Sequence, residues 1–176
     1  PSLLQRYLPA HPLAGSDKSG VENAQEKLFQ NAIVITTPTE HISTQSESII
    51  ANFWLRISKI LAPMSAQQHD YIVSITSHLP HLLSFTFLDA FISNRVEQEI
   101  FSYTAGGFKD FTRLAASNST IWSDIFKGNR KNLKEAISAF KLSLNKLEEQ
   151  LDDPDNTKLI ATLEKARTLK LKHHTN

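Results

Sequence analysis

Apolar and polar positions divide the chain into two textures. Up to about residue 64, short apolar runs stand between prolines: Leu3 to Leu8 stops at Pro9, and Ala32-Ile33-Val34-Ile35-Thr36-Thr37 stops at Pro38. Unbroken apolar or β-branched runs of this length read as buried strands. Val21 to Phe29, between them, is polar and long enough only for a helical turn or two. Thr44-x-x-Glu47 has capping-box spacing and opens a helix from about Gln45 to Ser58, with Ile49, Ile50, Phe53, Trp54 and Ile57 on one face. Ile60 to Met64 supplies one more strand. Strand, loop, strand, helix, strand is the tail end of an open α/β sheet.

From Ser65 onward the pattern is helical, so the fold class is mainly α, with residues 1–64 and 65–176 as the two units. Ser65-x-x-Gln68 caps an apolar segment from Ala66 to about Ser93, and Pro80 inside it should bend or break the helix. Gly106-Gly107 supplies a backbone break ahead of a helix around Lys109 to Ala116, and Ser119 to Phe126 is a short helix. Leu133, Ile137, Phe140, Leu144, Leu147 and Leu151 alternate spacings of four and three, an amphipathic seam. Asp153-Pro154 reads as N-cap and first residue of a last helix through Leu159, Leu163, Ala166 and Leu169, which folds back on the seam as an antiparallel hairpin.

Charge narrows the partners. Nineteen basic and eighteen acidic residues interleave to a net charge of +1, so no face has the footprint of a nucleic-acid binder. The cluster from Lys165 to His174 is a solvated helix tail. The chain has no cysteine, which removes disulfides and thiolate metal sites. No apolar run approaches the roughly 18 residues of a membrane span, and no leader pattern opens the sequence, so a cytoplasmic protein is expected. None of the five glycines forms a G-x-G-x-x-G turn. With Pro1 in first place, the sequence reads as a cut or truncated chain.

Three histidines invite chemistry. His78 and His81 are three apart, on one helical face, and His69 is nine residues earlier, about two and a half turns away and roughly on that side. Imidazoles on one face can ligate a metal, but the nearest carboxylates, Asp70 and Asp89, should point elsewhere. Structural histidines are the plain alternative, and Pro80 between the rings favours a ligand pocket instead. Arg113 lies one turn beyond Lys109, with Phe108 and Phe111 close by in sequence, and a guanidinium there suits an anionic ligand. A surface ion pair with Asp110 or Asp124 is the alternative.

Three segments in order carry a resemblance: His11-Pro12-Leu13-Ala14-Gly15 with Lys18-Ser19-Gly20, then Ser77-His78-Leu79-Pro80-His81, then Gly106-Gly107-Phe108-Lys109-Asp110-Phe111-Thr112-Arg113. Together they resemble the prephenate dehydrogenases, the nicotinamide-dependent enzymes of tyrosine biosynthesis. The resemblance implies a helical dimerisation domain preceded by the tail of a Rossmann-like α/β domain; with the glycine-rich turn missing, the chain is then expected to be the back part of such an enzyme, inactive and unable to bind NAD by itself. It implies oxidative decarboxylation of prephenate or arogenate with NAD or NADP, in a homodimer with no nucleic-acid or membrane partner. It makes His11 the catalytic base. His78, His81, Arg113, Lys109 and Trp122 become substrate-binding residues, and Asp17, His69 and Asp110 gate or support them, without a metal. A non-catalytic helical dimerisation module is the alternative, as is a metal-binding protein using His69, His78 and His81.

Overall fold

The computed structural model describes residues 2–15, 20–92 and 97–173. The front unit is a sheet in the order β1 (Ala10–Pro12), β2 (Ile33–Thr36), β3 (Ile60–Pro63). The central β2 pairs antiparallel with β1, His11 opposite Ile35, and parallel with β3, Val34 opposite Leu61. A strand flanked on both edges has little contact with water, so its side chains are mostly apolar. Val34, Ile35 and Thr36 are accordingly buried. Helix α1 (Thr44–Leu55) makes the crossover from β2 to β3.

The first apolar run is not a strand. Leu3–Arg6 forms one 3₁₀ turn, closed where Gln5 N–H donates to Ser2 O at 3.0 Å, and Leu3 is exposed. The register explains it: Ala10 already pairs with Thr36, the last residue of β2, so the run lies beyond the strand that could receive it. Pairing starts after Pro9, and Pro12 is accommodated because β1 is an edge strand. The cap of α1 is Ser43, one residue before the expected Thr44, its Oγ accepting from Ser46 N–H at 3.2 Å. Ile50, Trp54 and Ile57 are partly covered, but Ile49 and Phe53 face outward, 63% and 57% exposed, since a three-stranded sheet is too narrow to receive the whole apolar face.

The helical unit is built on one long rod. Ser65 caps α2 (Ala66–Val73), accepting from Gln68 N–H at 3.1 Å. Pro80 does not break the rod. A π turn (Ser74–His78) precedes it, with Leu79 N–H donating to Ser74 O, and α3 (Leu79–Ile92) continues through the proline. A proline lacks the amide hydrogen and its ring crowds the carbonyl four residues back; one extra residue in the turn lets the ladder slip past both problems.

Helix α4 (Glu97–Ser102) was not legible as a separate element, and Gly106-Gly107 open helix α5 (Gly106–Thr112) instead of interrupting the chain before it. Arg113–Ala116 is a 3₁₀ turn. Ser84, fully buried on α3, donates its hydroxyl to Phe111 O at 3.0 Å, and Phe87 meets Phe111 edge-on at 5.1 Å, which docks α5 on the rod. Asn118 caps α6 (Ser119–Gly128), its carboxamide oxygen accepting from Thr120 and Ile121 N–H. Helix α7 (Arg130–Leu151) packs across α2, the π turn and α3 near Leu133 and carries α8 (Thr157–Lys172). The last cap is Asn156, in the left-handed region at φ 54°, and not Asp153. Asp153-Pro154 starts the preceding turn, closed by Asn156 N–H on Asp153 O at 3.1 Å. An asparagine tolerates positive φ, and a proline is at ease one step into a turn.

Candidate functional site

The strand and the rod meet at histidines. His11 on β1 faces the first turn of α2, its Nδ1 2.8 Å from Nε2 of His69, with the two rings edge-on at 5.1 Å. The other nitrogen of His69, Nδ1, lies 2.9 Å from Oδ1 of Asp70. Asp70 therefore does not point away from the imidazoles as its helical position implied; its side chain folds back over its neighbour.

Further along the rod, His81 stacks on Trp122 of α6 with centroids 3.5 Å apart, and His78 meets the same indole edge-on at 6.3 Å. Each ring has a fixed tautomer. Nδ1–H of His81 donates to Ser77 O at 2.9 Å, leaving its Nε2 an acceptor. Nδ1 of His78 accepts from Nδ2 of Asn129 at 3.3 Å, so its Nε2 carries the hydrogen. The orientation of that amide is set by its other contacts: Nδ2 also donates to Asp70 O at 2.6 Å, and Oδ1 accepts from Asn132 Nδ2 at 2.8 Å. Two histidines one turn apart thus present a donor and an acceptor.

His69 joins this group because of the π turn. Nine residues of regular α-helix would set His69 and His78 half a turn apart, on opposite sides, so spacing alone does not put His69 on the side of His78 as the sequence reading expected. One extra residue in the turn between them rotates the distal part of the rod by about 100°. Asp70 and Asn129 then bridge the two rings.

Burial disfavours the imidazolium and holds His11, His78 and His81 below the ordinary histidine value. His69 lowers His11 further. For His78 the repulsion from His69 is partly offset by the Asp70 carboxylate. For His81 the Ser77 carbonyl opposes the effect of burial, while the Arg113 guanidinium adds to it, which places Arg113 within electrostatic reach of the pocket.

The structure thus brings together His11, His69, His78, His81 and Trp122, with Arg113 alongside. Lys109 and Asp110 take exposed positions on α5, and no hydrogen bond or ion pair among the described residues joins them to the imidazoles. Arg113 pairs with neither Asp110 nor Asp124 among the described residues. Asp17 lies outside the described residues. No group of three His, Asp or Glu side chains among the described residues could hold a metal, and no helix there is long and apolar enough to cross a membrane. Asn129 was missed by the sequence reading. An asparagine ahead of a long helix reads as its cap, yet this one spends its side chain on His78 and the Asp70 carbonyl.

The sequence matches the family descriptions "Prephenate dehydrogenase, nucleotide-binding domain" over residues 2–61 and "Prephenate dehydrogenase, dimerization domain" over residues 65–165. It is 32% identical over 166 residues to the cyclohexadienyl dehydrogenase of Zymomonas mobilis, covering 93% of this chain and 57% of that protein. It is 30% identical over 163 residues to the prephenate dehydrogenase of Bacillus subtilis, covering 92% and 44%. The chain therefore spans about half the length of these relatives. Among solved structures, the prephenate dehydrogenase of A. aeolicus in complex with hydroxyphenyl propionate and NAD+ superposes with a TM-score of 0.89 at 34% identity, over 96% of this chain and 59% of that one. The arogenate dehydrogenase of Synechocystis shares the fold, with a TM-score of 0.82 at 21% identity, over 96% of this chain and 62% of that one.

Proposed function

We propose that this chain, which belongs to the prephenate dehydrogenase family, carries the substrate side of an NAD- or NADP-dependent oxidation of prephenate or arogenate, working as a homodimer. The observation that carries the reading is the meeting of His11 with the imidazole pocket of the rod. Removing two electrons from a ring carbinol requires that its O–H proton be taken up, and a histidine held neutral by burial takes it near physiological pH. The carboxylates of such a substrate meet Arg113, whose guanidinium can fork onto one, and Nε2–H of His78, which can donate to another oxygen. The relative that holds hydroxyphenyl propionate supports a ligand of this shape in the fold.

The nicotinamide supplies the hydride acceptor in this chemistry. Its pyrophosphate, however, finds no cradle here. The β2–α1 connection ends in a serine cap and contains no glycine, and the described residues offer no other helix start after a strand with a glycine-rich turn. Titration calorimetry of this chain should therefore show no micromolar NAD binding. That missing cradle also favours the second reading, a dimerisation module without catalysis, which micromolar NAD binding with turnover would eliminate.

The kinetic test uses an enzyme with measurable activity. Arg113→Ala removes charge-assisted hydrogen bonds made in ground and transition states alike, so KM should rise roughly ten- to a hundredfold. His11→Asn removes the proton acceptor, so kcat should fall by roughly 10² to 10⁴. Equal effects on KM alone would reject these roles.

A further inference from the structure

We infer that Asp70 and His69 are a positioning pair that fixes the tautomer of His11, leaving Nε2 of that ring as the unprotonated atom that faces the reacting group. The inference rests on the reading of His11 as proton acceptor.

The chain of contacts has one consistent set of hydrogens. A carboxylate only accepts, so the 2.9 Å contact with Asp70 Oδ1 requires a hydrogen on Nδ1 of His69. A neutral imidazole has one N–H, which leaves Nε2 of His69 a lone pair. The 2.8 Å contact between that atom and Nδ1 of His11 is then a hydrogen bond only if His11 is the donor. His11, in turn, keeps its lone pair on Nε2. Were His69 an imidazolium, it would donate from both nitrogens, and His11 would hold its hydrogen on Nε2, useless as an acceptor.

The pair is itself held in place. Asp70 is anchored through its carbonyl by Asn129 at 2.6 Å, so α7 fixes the turn of α2 from which both side chains project. His11 comes from a different element, an edge strand, and among the described residues no other hydrogen bond ties its ring to the rod. The contact therefore sets the ring's orientation as well as its tautomer, since the bond made by one imidazole nitrogen decides what the other can do.

The proton balance closes without transport along the chain. The substrate hydroxyl proton bonds to Nε2 of His11, whose ring becomes cationic while Nδ1–H stays on its nitrogen. That N–H then makes a charge-assisted bond to His69, and the Asp70 carboxylate at the far end compensates the new charge.

Nitrogen-15 NMR of histidine-labelled chain, above neutral pH, reads the tautomers without substrate or cofactor. His11 and His69 should each show a protonated Nδ1 and a far-downfield, imine-type Nε2. His69→Phe should move His11 to an Nε2–H form, and His69→Gln, whose amide oxygen can still accept, should restore the Nδ1–H form. A wild-type spectrum with the His11 hydrogen on Nε2 overturns the inference whether or not the variants fold. In the active enzyme His69→Phe should lower kcat at least about tenfold with KM little changed, the order lost when a histidine loses its orienting partner, and His69→Gln should recover part of it. A lost kcat that His69→Gln does not recover also counts against the inference. If the tautomers are as expected but no dehydrogenase turns over, the functional reading fails and the tautomer assignment stands.

Discussion

At the scale of single residues, the depressed histidines couple the pocket to pH. His11, His78 and His81 resist protonation when folded, so on acidification the unfolded chain takes up protons first, starting near the ordinary value of about 6.5. With more protons bound in the unfolded state, stability rises with pH through that window and falls below it. Thermal melts should give a lower Tm at about pH 5.5 than at about pH 7.5. Replacing His78 and His81 together by Gln should flatten the difference, and a Tm that rises on acidification would contradict the burial argument. The sequence carried part of this site. His78 and His81 share a face by spacing alone, and His11 stood out by the segment around it. Asp70 and Asn129 did not, because their roles depend on a side chain folding back over a neighbour and on a cap position left uncapped. No periodicity records either.

At the scale of elements, a local irregularity decides which side chains meet. Pro80 signalled trouble in the helix correctly, but the response was a π turn and not a break, and the physical difference is large. A break would separate His69 from His78; the π turn turns them toward a common side. Pro80→Ala restores the amide donor and removes the reason for the extra residue, so the turn should relax toward a regular α-helix. Stability should hold or increase, while His78 swings off Asn129 and KM for the substrate rises. A fall in Tm with an unchanged KM would show that the π turn has another cause. Caps are more additive. Asn118 receives two backbone N–H groups at the start of the helix that holds Trp122. Asn118→Ala should cost about 1 kcal/mol, and Asn118→Gly only a few tenths. In a chain of this length that is roughly 2–4 °C in Tm for the alanine variant, measurable by calorimetry.

At the scale of the whole molecule, the surface is too large for the mass. A compact monomer of 19.8 kDa exposes about 8,600 Å² by the usual scaling, whereas this chain exposes 13612 Å². Part of the excess is the α7–α8 hairpin, which extends past the body of the rod. Its seam was legible in the sequence as six apolar positions, yet only the end near Leu133 is buried; Leu144 and Leu151 are 53% and 62% exposed, as is Ile160 on α8 at 61%. The pattern marked the face but does not say what covers it. An excess of about 5,000 Å² per chain is several times the roughly 800 Å² that one partner buries in a standard interface, and leaves room for the larger, more apolar interfaces of permanent dimers. Each large apolar side chain left in water forgoes roughly 1.5–3 kcal/mol, and a second copy about a two-fold axis offers the same seam in return. Such pairing can also bring the exposed Lys109 and Asp110 of one copy toward the imidazole pocket of the other. Sedimentation at micromolar concentration should therefore show twice the 19.8 kDa mass, and Leu144→Glu with Leu151→Glu should shift it toward monomer with a loss of Tm. A folded wild-type monomer under those conditions would mean that the seam is covered from within the chain or not at all, and that the excess surface has no partner to explain it.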